Sequence, residues 1–543
     1  MPGLDVFGAL VGRRRAGGHE GHICAAVSHG RFARWARRTT TFLFASEDEA
    51  ARAVREVRTR AVAGEGTLHL IVNPHSGSGR GLTVLRETVL PMLKAAGVPS
   101  DVHTTTKPLD AAEFAQKLPL HDRRVAVAAC ELCGPRRDAV LHRQDDCHSR
   151  RGVRAIVVVG GDGTLHEVLQ GLLARPDWQD ARRVPLALVG TGSGNGTCVS
   201  SGVSSPVAAV HAVIKGRSEP LDVFACYDLG PSPTGAVQAR LLRFGMLSLT
   251  TALVATADLG SESLRWMGPL RFTVGAVKDI LAARRYPLDV FVTTKRGSSS
   301  PRAARETQFQ GTDWNEVEAL YQTHSRRVAG AGDLWGEAGA AVPESGGLSD
   351  VGAVVAAAAS QRASENGLPL ADLSQQLLAR GRDGAATLPD GWRRVPQVRF
   401  PVWGVFNQPW ITSDVCACPG QSFSSGSIST VSLGEGVTRR QVVNFFDEAA
   451  KGTTLSLPYV SKEDVGGVLL LPRKPGQPRT ALGWLRRRCQ TIRHACATAA
   501  ERRGDAKRTW ISLDGEDIGV GPTYVEVHPR LCRIIVPPDW APQ

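Results

Sequence analysis

The sequence predicts a two-part chain, an α/β domain on a mainly parallel sheet followed by a β-rich domain. Three observations carry that prediction. Between Leu68 and Gly196, short apolar runs alternate with segments of helical period, the pattern of parallel strands joined by crossover helices. Three of these runs end in glycine-rich turns, "HSGSGRG", "GGDG" and "GTGSGNG". After about Lys215, strand-like pieces follow one another with few helices between them.

In chain order, residues 1–66 read as an N-terminal extension, either an accessory module or an arm of the main domain. "RRTTTFLFASEDEAARAVREVRTRA" predicts a strand over Thr39–Ala45 and a helix with Ala50, Val54 and Val57 on one face. The α/β domain is expected over 67–216. "LHLIVNP" is a buried strand and "LTVLRETVLPMLKAAG" a helix, with Leu82, Leu85, Val89, Leu93 and Ala96 at helical spacing and Gly97 as its stop. "SDVHTTT" is the next strand and Asp110–Leu118 the next helix. An insertion covers about 120–152. A strand over Ala155–Val159 follows, then a helix with Leu165, Val168, Leu169 and Leu172 on one face, and "VPLALVG" is the last parallel strand. The β-rich domain is expected over 217–543. Its strand candidates include "PLDVFACYDL", "QARLLRFGML", "LDVFVTTK", "FPVWGVFN", "ISTVSLG" and "TYVEVHPRLCRIIVP". A second insertion at about 296–396 has poor hydrophobic periodicity and is expected to be disordered.

Composition narrows the partners. The chain has 543 residues and a formal charge of +13, which favours anionic ligands or an acidic membrane surface. Aromatic residues make up only 6%, with no interleaving of arginines and stacking rings, so nucleic acid ranks low. Eleven scattered cysteines make no complete disulfide framework. No apolar run approaches a bilayer span, and the N-terminal charges follow the apolar run instead of preceding it as in a secretory signal. The expectation is a cytoplasmic protein.

The glycine turns suit phosphate. Glycine lets backbone N–H groups approach oxygens closely, and a following helix presents its positive N-terminus. They are neither a Walker loop nor a dinucleotide fingerprint in its strand–helix setting. Asp162, an acid among turn glycines, reads in isolation as a helix N-cap. With His166 and Glu167 close behind it and a second glycine run next in the sheet, it reads instead as an acceptor base beside a nucleotide.

"VNPHSGSGRG", "VVVGGDGTLHEVLQGLLARPDW" and "GTGSGNG" resemble the diacylglycerol kinase-type catalytic domain of lipid kinases. "HEVLQGLLARPDWQDARRVPLAL", "ALVATADLGSESLRWMGPLRFTVGAVKDIL" and "WISLDGEDIGVGPTYVEVHPRLCRIIV" are most similar to the sphingosine (sphingoid long-chain base) kinases. The resemblance covers roughly Leu68–Pro119, Arg154–Thr294 and Pro396–Pro537. It implies a phosphofructokinase-like N-terminal domain, a β-sandwich C-terminal domain, ATP with Mg²⁺ as donor and a sphingoid base as acceptor. It further implies that Asp162 is the general base. Asn73, Gly77 and Gly79 match the first nucleotide loop, Gly161 and Gly163 flank the base in the ATP turn, and Gly192, Ser193, Gly194 and Asn195 match the second loop. Glu167 matches a nucleotide-side acid, Arg265 and Arg271 the arginines on the ATP phosphates, and Asp514 and Glu516 the "DGE" element that closes the site. Asp258 matches the acid that pairs with the sphingoid ammonium. Departures are His75 and Ser78 in the first loop, Gly190 for a common proline, Gln170 for a common asparagine and Thr256 for a second acid.

Two other clusters carry less. Cys130, Cys133, Cys147 and His148 suggest zinc, but the adjacent last pair is awkward for one tetrahedral site and the segment reads as an exposed loop. "GWLRRRCQTIRHACATAAERR" reads equally as a membrane-docking basic helix or a solvated one. The resulting expectation is a peripherally membrane-associated sphingoid base kinase with no resident metal ligands assigned. The alternatives are a diacylglycerol or ceramide kinase and an inactive membrane-binding relative. A nicotinamide-nucleotide kinase shares the GGDGT turn, but "SLRWMGPLRF" does not favour it.

Overall fold

In the computed structural model the described residues are 4–13, 19–27, 36–44, 46–62, 66–77, 79–120, 152–231, 237–259, 286–293, 392–397, 399–472, 510–519 and 521–541, with four more between 276 and 281. The N-terminal extension contributes three antiparallel strands, β1 (Leu4–Arg13), β2 (His19–Val27) and β3 (Ala36–Phe44), and helix α1 (Glu47–Ala61). The sequence pattern predicts only the last strand and the helix. Ala50 and Val54 of α1 are buried as that pattern requires, and Ser46 caps the helix by accepting the N–H of Glu49.

The α/β part follows the predicted alternation. Strand β4 (Thr67–Val72) leads to a helix, α2, that runs as Gly81–Val84, a π turn Leu85–Val89 and Leu90–Ala96. The π turn adjoins Pro91, which has no N–H for the carbonyl four residues before it. Gly97 ends α2 in the left-handed conformation at φ 71°. Then come β5 (Ser100–Thr104), α3 (Asp110–Lys117), β6 (Val153–Gly160), α4 (Asp162–Leu173), the short α5 (Trp178–Ala181), β7 (Leu186–Gly190), α6 (Gly196–Ser200) and α7 (Pro206–Lys215). Strands β5, β4, β6 and β7 pair in parallel in that spatial order. Leu165, Val168, Leu169 and Leu172 of α4 are all buried against them, and β1 packs beside α1, the end of α2 and α7.

The remaining strands are β8 (Ser218–Pro231), β9 (Val237–Gly245), β10 (Ser248–Thr251), β11 (Tyr286–Thr293), β12 (Trp392–Arg394), β13 (Arg399–Phe400) and β14 (Val402–Phe406). They continue with β15 (Trp410–Thr412), β16 (Val415–Cys416), β17 (Ile428–Leu433), β18 (Val460–Val465), β19 (Gly467–Pro472), β20 (Ile511–Leu513), β21 (Glu516–Asp517) and β22 (Thr523–Ile535). Helix α8 (Ala252–Leu259) follows β10, and α9 (Arg439–Lys451) follows β17. A six-stranded sheet, β18-β17-β14-β10-β20-β21, faces the antiparallel half of the central sheet. Phe224, Val290, Val468 and Val525 from one sheet and Leu249, Trp403, Val405 and Ile428 from the other form a single buried core between the two sheets.

The expected boundary at 216/217 divides the elements but not the sheet. One edge of β22 runs antiparallel along β8, while its other edge meets β19 over Thr523–Glu526 and then β7 at Ile534. The eleven-stranded central sheet is therefore continuous across both parts, and Leu531, Ile534 and Val536 complete the core of the α/β part. A bulge between His528 and Cys532 permits this exchange of partners. Pro529 offers no N–H, and Arg530 sits at φ 53°. Buried Asp222 holds the bulge, accepting the N–H of Arg530 at 2.7 Å and that of Gly426 at 2.6 Å.

The two predicted insertions fall largely outside the described residues. Within the expected bounds of the second, Trp392–Arg394 is a strand; Trp392 pairs with Thr293, which places the two ends of the segment side by side. The Cys130–His148 cluster and the basic segment Gly483–Arg503 also lie outside the described residues.

Candidate active site

The three glycine turns meet at the C-terminal ends of β4, β6 and β7, where parallel sheets bind ligands. Their backbones touch. A Cβ on Gly77 (φ 57°) would lie 2.3 Å from the carbonyl oxygen of Thr191, and one on Gly192 would lie 2.6 Å from Cα of Gly161. Asn73 ties the first turn to the second, its amide donating to Thr164 Oγ1 at 3.0 Å while its Oδ1 accepts the N–H of His75. Asn195, left-handed at φ 55°, closes the third turn by bonding both the N–H and the carbonyl of Gly192. Gly190 stands where a Cβ would come within 2.9 Å of Cys198 Sγ, which accounts for glycine there. Ser193 is exposed at the crest of this turn, and Ser78 lies outside the described residues.

Nucleotide phosphates fit this floor. The twelve-residue helix α4 begins without a side-chain cap on its first N–H groups. Among the described residues, nothing lies within 4 Å of a Cβ placed on Gly163, and one on Gly79 (φ 74°) would have only the Pro74 carbonyl nearby, at 3.8 Å. Among the described residues no three His, Cys, Asp or Glu side chains converge on a metal position.

Asp162 is not the N-cap of α4. That place belongs to Gly161, whose extended backbone suits it, and Asp162 is the first residue inside the helix. Its carboxylate turns to the third turn, where Oδ2 accepts the N–H of Gly196 at 3.0 Å and Oδ1 that of Thr197 at 3.1 Å. Burial pushes its pKa above the ordinary carboxylate value. The hydrogen bonds from Gly196 and Thr197 oppose that shift, and the charge of Asp514 adds to it.

Asp162, His166 and Gln170 follow one another at the spacing that puts them on one face of α4, and this face grips the C-terminal part of the chain. Gln170 forms a two-way amide bond with the backbone of Phe244, donating to its carbonyl at 2.8 Å and accepting its N–H at 3.0 Å. His166 Nδ1 lies 3.0 Å from Asp514 Oδ2, both side chains fully enclosed. Asp514 also accepts the N–H groups of Met246, Leu247 and Ser248. The sequence expectation places Asp514 at ATP; in this structure both of its oxygens accept these donors and its side chain is buried.

Glu516, its neighbour in "DGE", is exposed and lies 3.9 Å from Arg243. Glu167, expected on the nucleotide side, follows His166 in α4. Its carboxylate is half-buried near the start of α3, and burial, with the charge of Glu516, raises its pKa against the opposing influence of the Leu109 and Ala111 backbone. Asp258 is placed on α8, with its side chain outside the described residues; Arg265 and Arg271 lie outside them altogether. Thr256, in place of a second acid, bonds the carbonyl of Ala252 and the hydroxyl of Tyr286.

Sequence reasoning missed one wall of the site. The hairpin β15–β16 lies over the third glycine turn: Thr412 bridges Asn195, Ser413 N–H donates to the Gly194 carbonyl at 2.6 Å, and the Trp410–Ile411 backbone fills the space where Gly196 would carry a Cβ. Nothing in "PWITSD" marks it, because its contacts are made by backbone. The tail "ARPDW" turns out to be structural. Buried Arg175 donates to the carbonyls of Ala115, Gln116 and Leu118 at the end of α3 and is held by Asp177.

Residues 67–130 and 140–226 match the diacylglycerol kinase catalytic domain, the segment that carries the glycine turns and Asp162. The resemblance read from the motifs extends to named proteins. The chain is 31% identical over 224 residues to sphingosine kinase 1 of Arabidopsis thaliana, covering 40% of this chain and 38% of that protein. It is 30% identical to human sphingosine kinase 2 (40% and 29%) and 28% identical to sphingoid long chain base kinase 5 of Saccharomyces cerevisiae (42% and 28%). The chain thus spans less than half the length of each of these relatives. A crystal structure of a diacylglycerol kinase from Bacillus anthracis aligns over 88% of this chain and 98% of its own, at 12% identity and a TM-score of 0.40.

Proposed function

We propose that this protein is an ATP-dependent lipid kinase that phosphorylates the primary hydroxyl of sphingoid long-chain bases to give sphingoid base 1-phosphates. The observation that carries the proposal is the meeting of three glycine turns around the carboxylate of Asp162, at the end of a parallel sheet and under a wall from the β-rich part. Glycine N–H groups and the uncapped start of α4 would hold the phosphates of ATP, and bound Mg²⁺ would supply charge neutralisation on them. Asp162 is the proton acceptor for the attacking hydroxyl; its raised pKa makes it a better acceptor than an exposed carboxylate. Arg265 and Arg271 are assigned to the phosphates, Glu516 to the mouth of the nucleotide site, and Asp258 to the substrate ammonium, where opposite charge offsets desolvation. The acceptor lipid implies peripheral membrane contact, and we assign the protein to the cytoplasm.

Transfer of labelled phosphate from ATP to a panel of sphingosine, diacylglycerol and ceramide tests the reading. Sphingosine should be the labelled lipid, and Asp162→Asn should lower kcat by about 100-fold or more without loss of folding. Asp258→Ala should raise KM for the amine-bearing lipid only. Labelling of diacylglycerol alone would replace this reading with the diacylglycerol kinase one, and absence of labelling on every lipid would leave an inactive relative.

A further inference from the structure

We infer that His166 and Asp514 form a positioning pair that sets the distance between the base on α4 and the segment that receives the acceptor, an assignment that rests on the kinase reading above. Asp514 turns the chain between β20 and β21 at φ 51°, followed by Gly515 at φ 95°. Its Oδ1 accepts the N–H groups of Leu247 and Ser248, and its Oδ2 that of Met246 together with the imidazole. A carboxylate surrounded by donors accepts only, so Nδ1 of His166 carries the proton of this bond. Nε2 of the same ring is buried without a hydrogen-bond partner among the described residues. An apolar side chain of similar size would avoid the cost of an unpaired buried nitrogen, so packing by itself does not account for a histidine here.

What the pair connects gives it a role. One turn towards the N-terminus of α4 stands Asp162, and one turn towards its C-terminus Gln170 already fastens β9 through Phe244. The His166–Asp514 bond adds a second attachment, at the 246–248 turn. From that turn the chain runs directly into β10 and then α8, which carries Asp258. Residues 348 apart in sequence are thus joined across a few ångströms, and the joint lies between the acceptor segment and the base. Loss of the bond would free the turn while leaving the glycine floor untouched. In-line transfer is sensitive to such misplacement, because a displacement of about 1 Å costs about 100-fold in rate.

The test uses the full chain and three variants, His166→Ala, His166→Asn and Asp514→Asn. The asparagine amide nitrogen takes the approximate place of Nδ1 and lacks a counterpart of Nε2. His166→Ala should lose about 100-fold in kcat/KM for the lipid acceptor while KM for ATP is unchanged, and His166→Asn should recover most of that loss. Asp514→Asn should resemble the alanine variant. Hydrogen exchange of the peptide spanning Met246–Ser248 should accelerate in His166→Ala and stay slow in His166→Asn. Equal impairment of the Ala and Asn variants, or a parallel rise in KM for ATP, would overturn the assignment. Should the wild-type chain phosphorylate no lipid, the kinase reading fails on its own terms. The exchange measurement still decides the pair, since unchanged protection at 246–248 in His166→Ala removes it.

Discussion

Asp162 shows how one side chain is set by its surroundings. Two backbone N–H groups orient its carboxylate, while burial and the nearby charge of Asp514 make ionisation harder. A raised native pKa means that the contribution of this group to stability is present below its unfolded value and fades as pH rises through the native one. Under the proposed base role activity runs the opposite way, because a base must be ionised. The acid limb of the kcat/KM profile is therefore expected above the ordinary carboxylate range near pH 4; a limb at or below that value would mean that another group accepts the proton. Asp162→Asn at neutral pH relieves the buried charge but leaves one N–H without an acceptor. These effects offset, and the stability change should stay within about 1 kcal/mol, read by denaturant unfolding. Asp514 is the contrasting case: an acid in a motif read as nucleotide-facing, yet enclosed by donors from a turn it does not adjoin in sequence.

Among the elements, α4 carries the most. Its apolar face fills the core, its polar face grips the β-rich part, and its C-terminal tail locks α3. Arg175 satisfies three carbonyls that end α3, so Arg175→Ala should destabilise the protein by about 3 kcal/mol in equilibrium unfolding, with little effect on KM for ATP. A loss below about 0.5 kcal/mol would reduce this cluster to an ordinary surface pair. The helical period made the apolar face of α4 legible, and Leu165, Val168, Leu169 and Leu172 lie where the spacing puts them. His166 and Gln170 were visible only as departures or neighbours, because their partners Asp514 and Phe244 come from distant parts of the chain.

At the scale of the whole molecule, the long segment between β11 and β12 leaves and returns at paired residues, Thr293 and Trp392. Replacing 294–391 by a short turn should therefore keep the fold, since closing a shorter loop costs less entropy. The melting temperature should hold or rise, and ATP turnover should persist; cooperative unfolding lost on deletion would show that this segment belongs to the core. The β22 strand makes the opposite point. Its second half completes the α/β core, so truncation before Leu531 should unfold the α/β part, although the strand lies far downstream of every glycine turn.

The sequence by itself determined the order of strands and helices in the α/β part, the three turns and the acid among them, since period and glycine placement are local properties of the chain. It also carried the resemblance to lipid kinases. Tertiary structure decided where each acid lies: Asp162 faces the turns, Glu167 is half-buried near the start of α3, and Asp514 is enclosed beside His166. It alone decided that a single sheet joins both parts and that the Trp410–Ser413 backbone walls the site. The reason is common to all of these. They depend on backbone groups and side chains brought together from far apart in the chain, and no local pattern records which donor will lie beside which carboxylate.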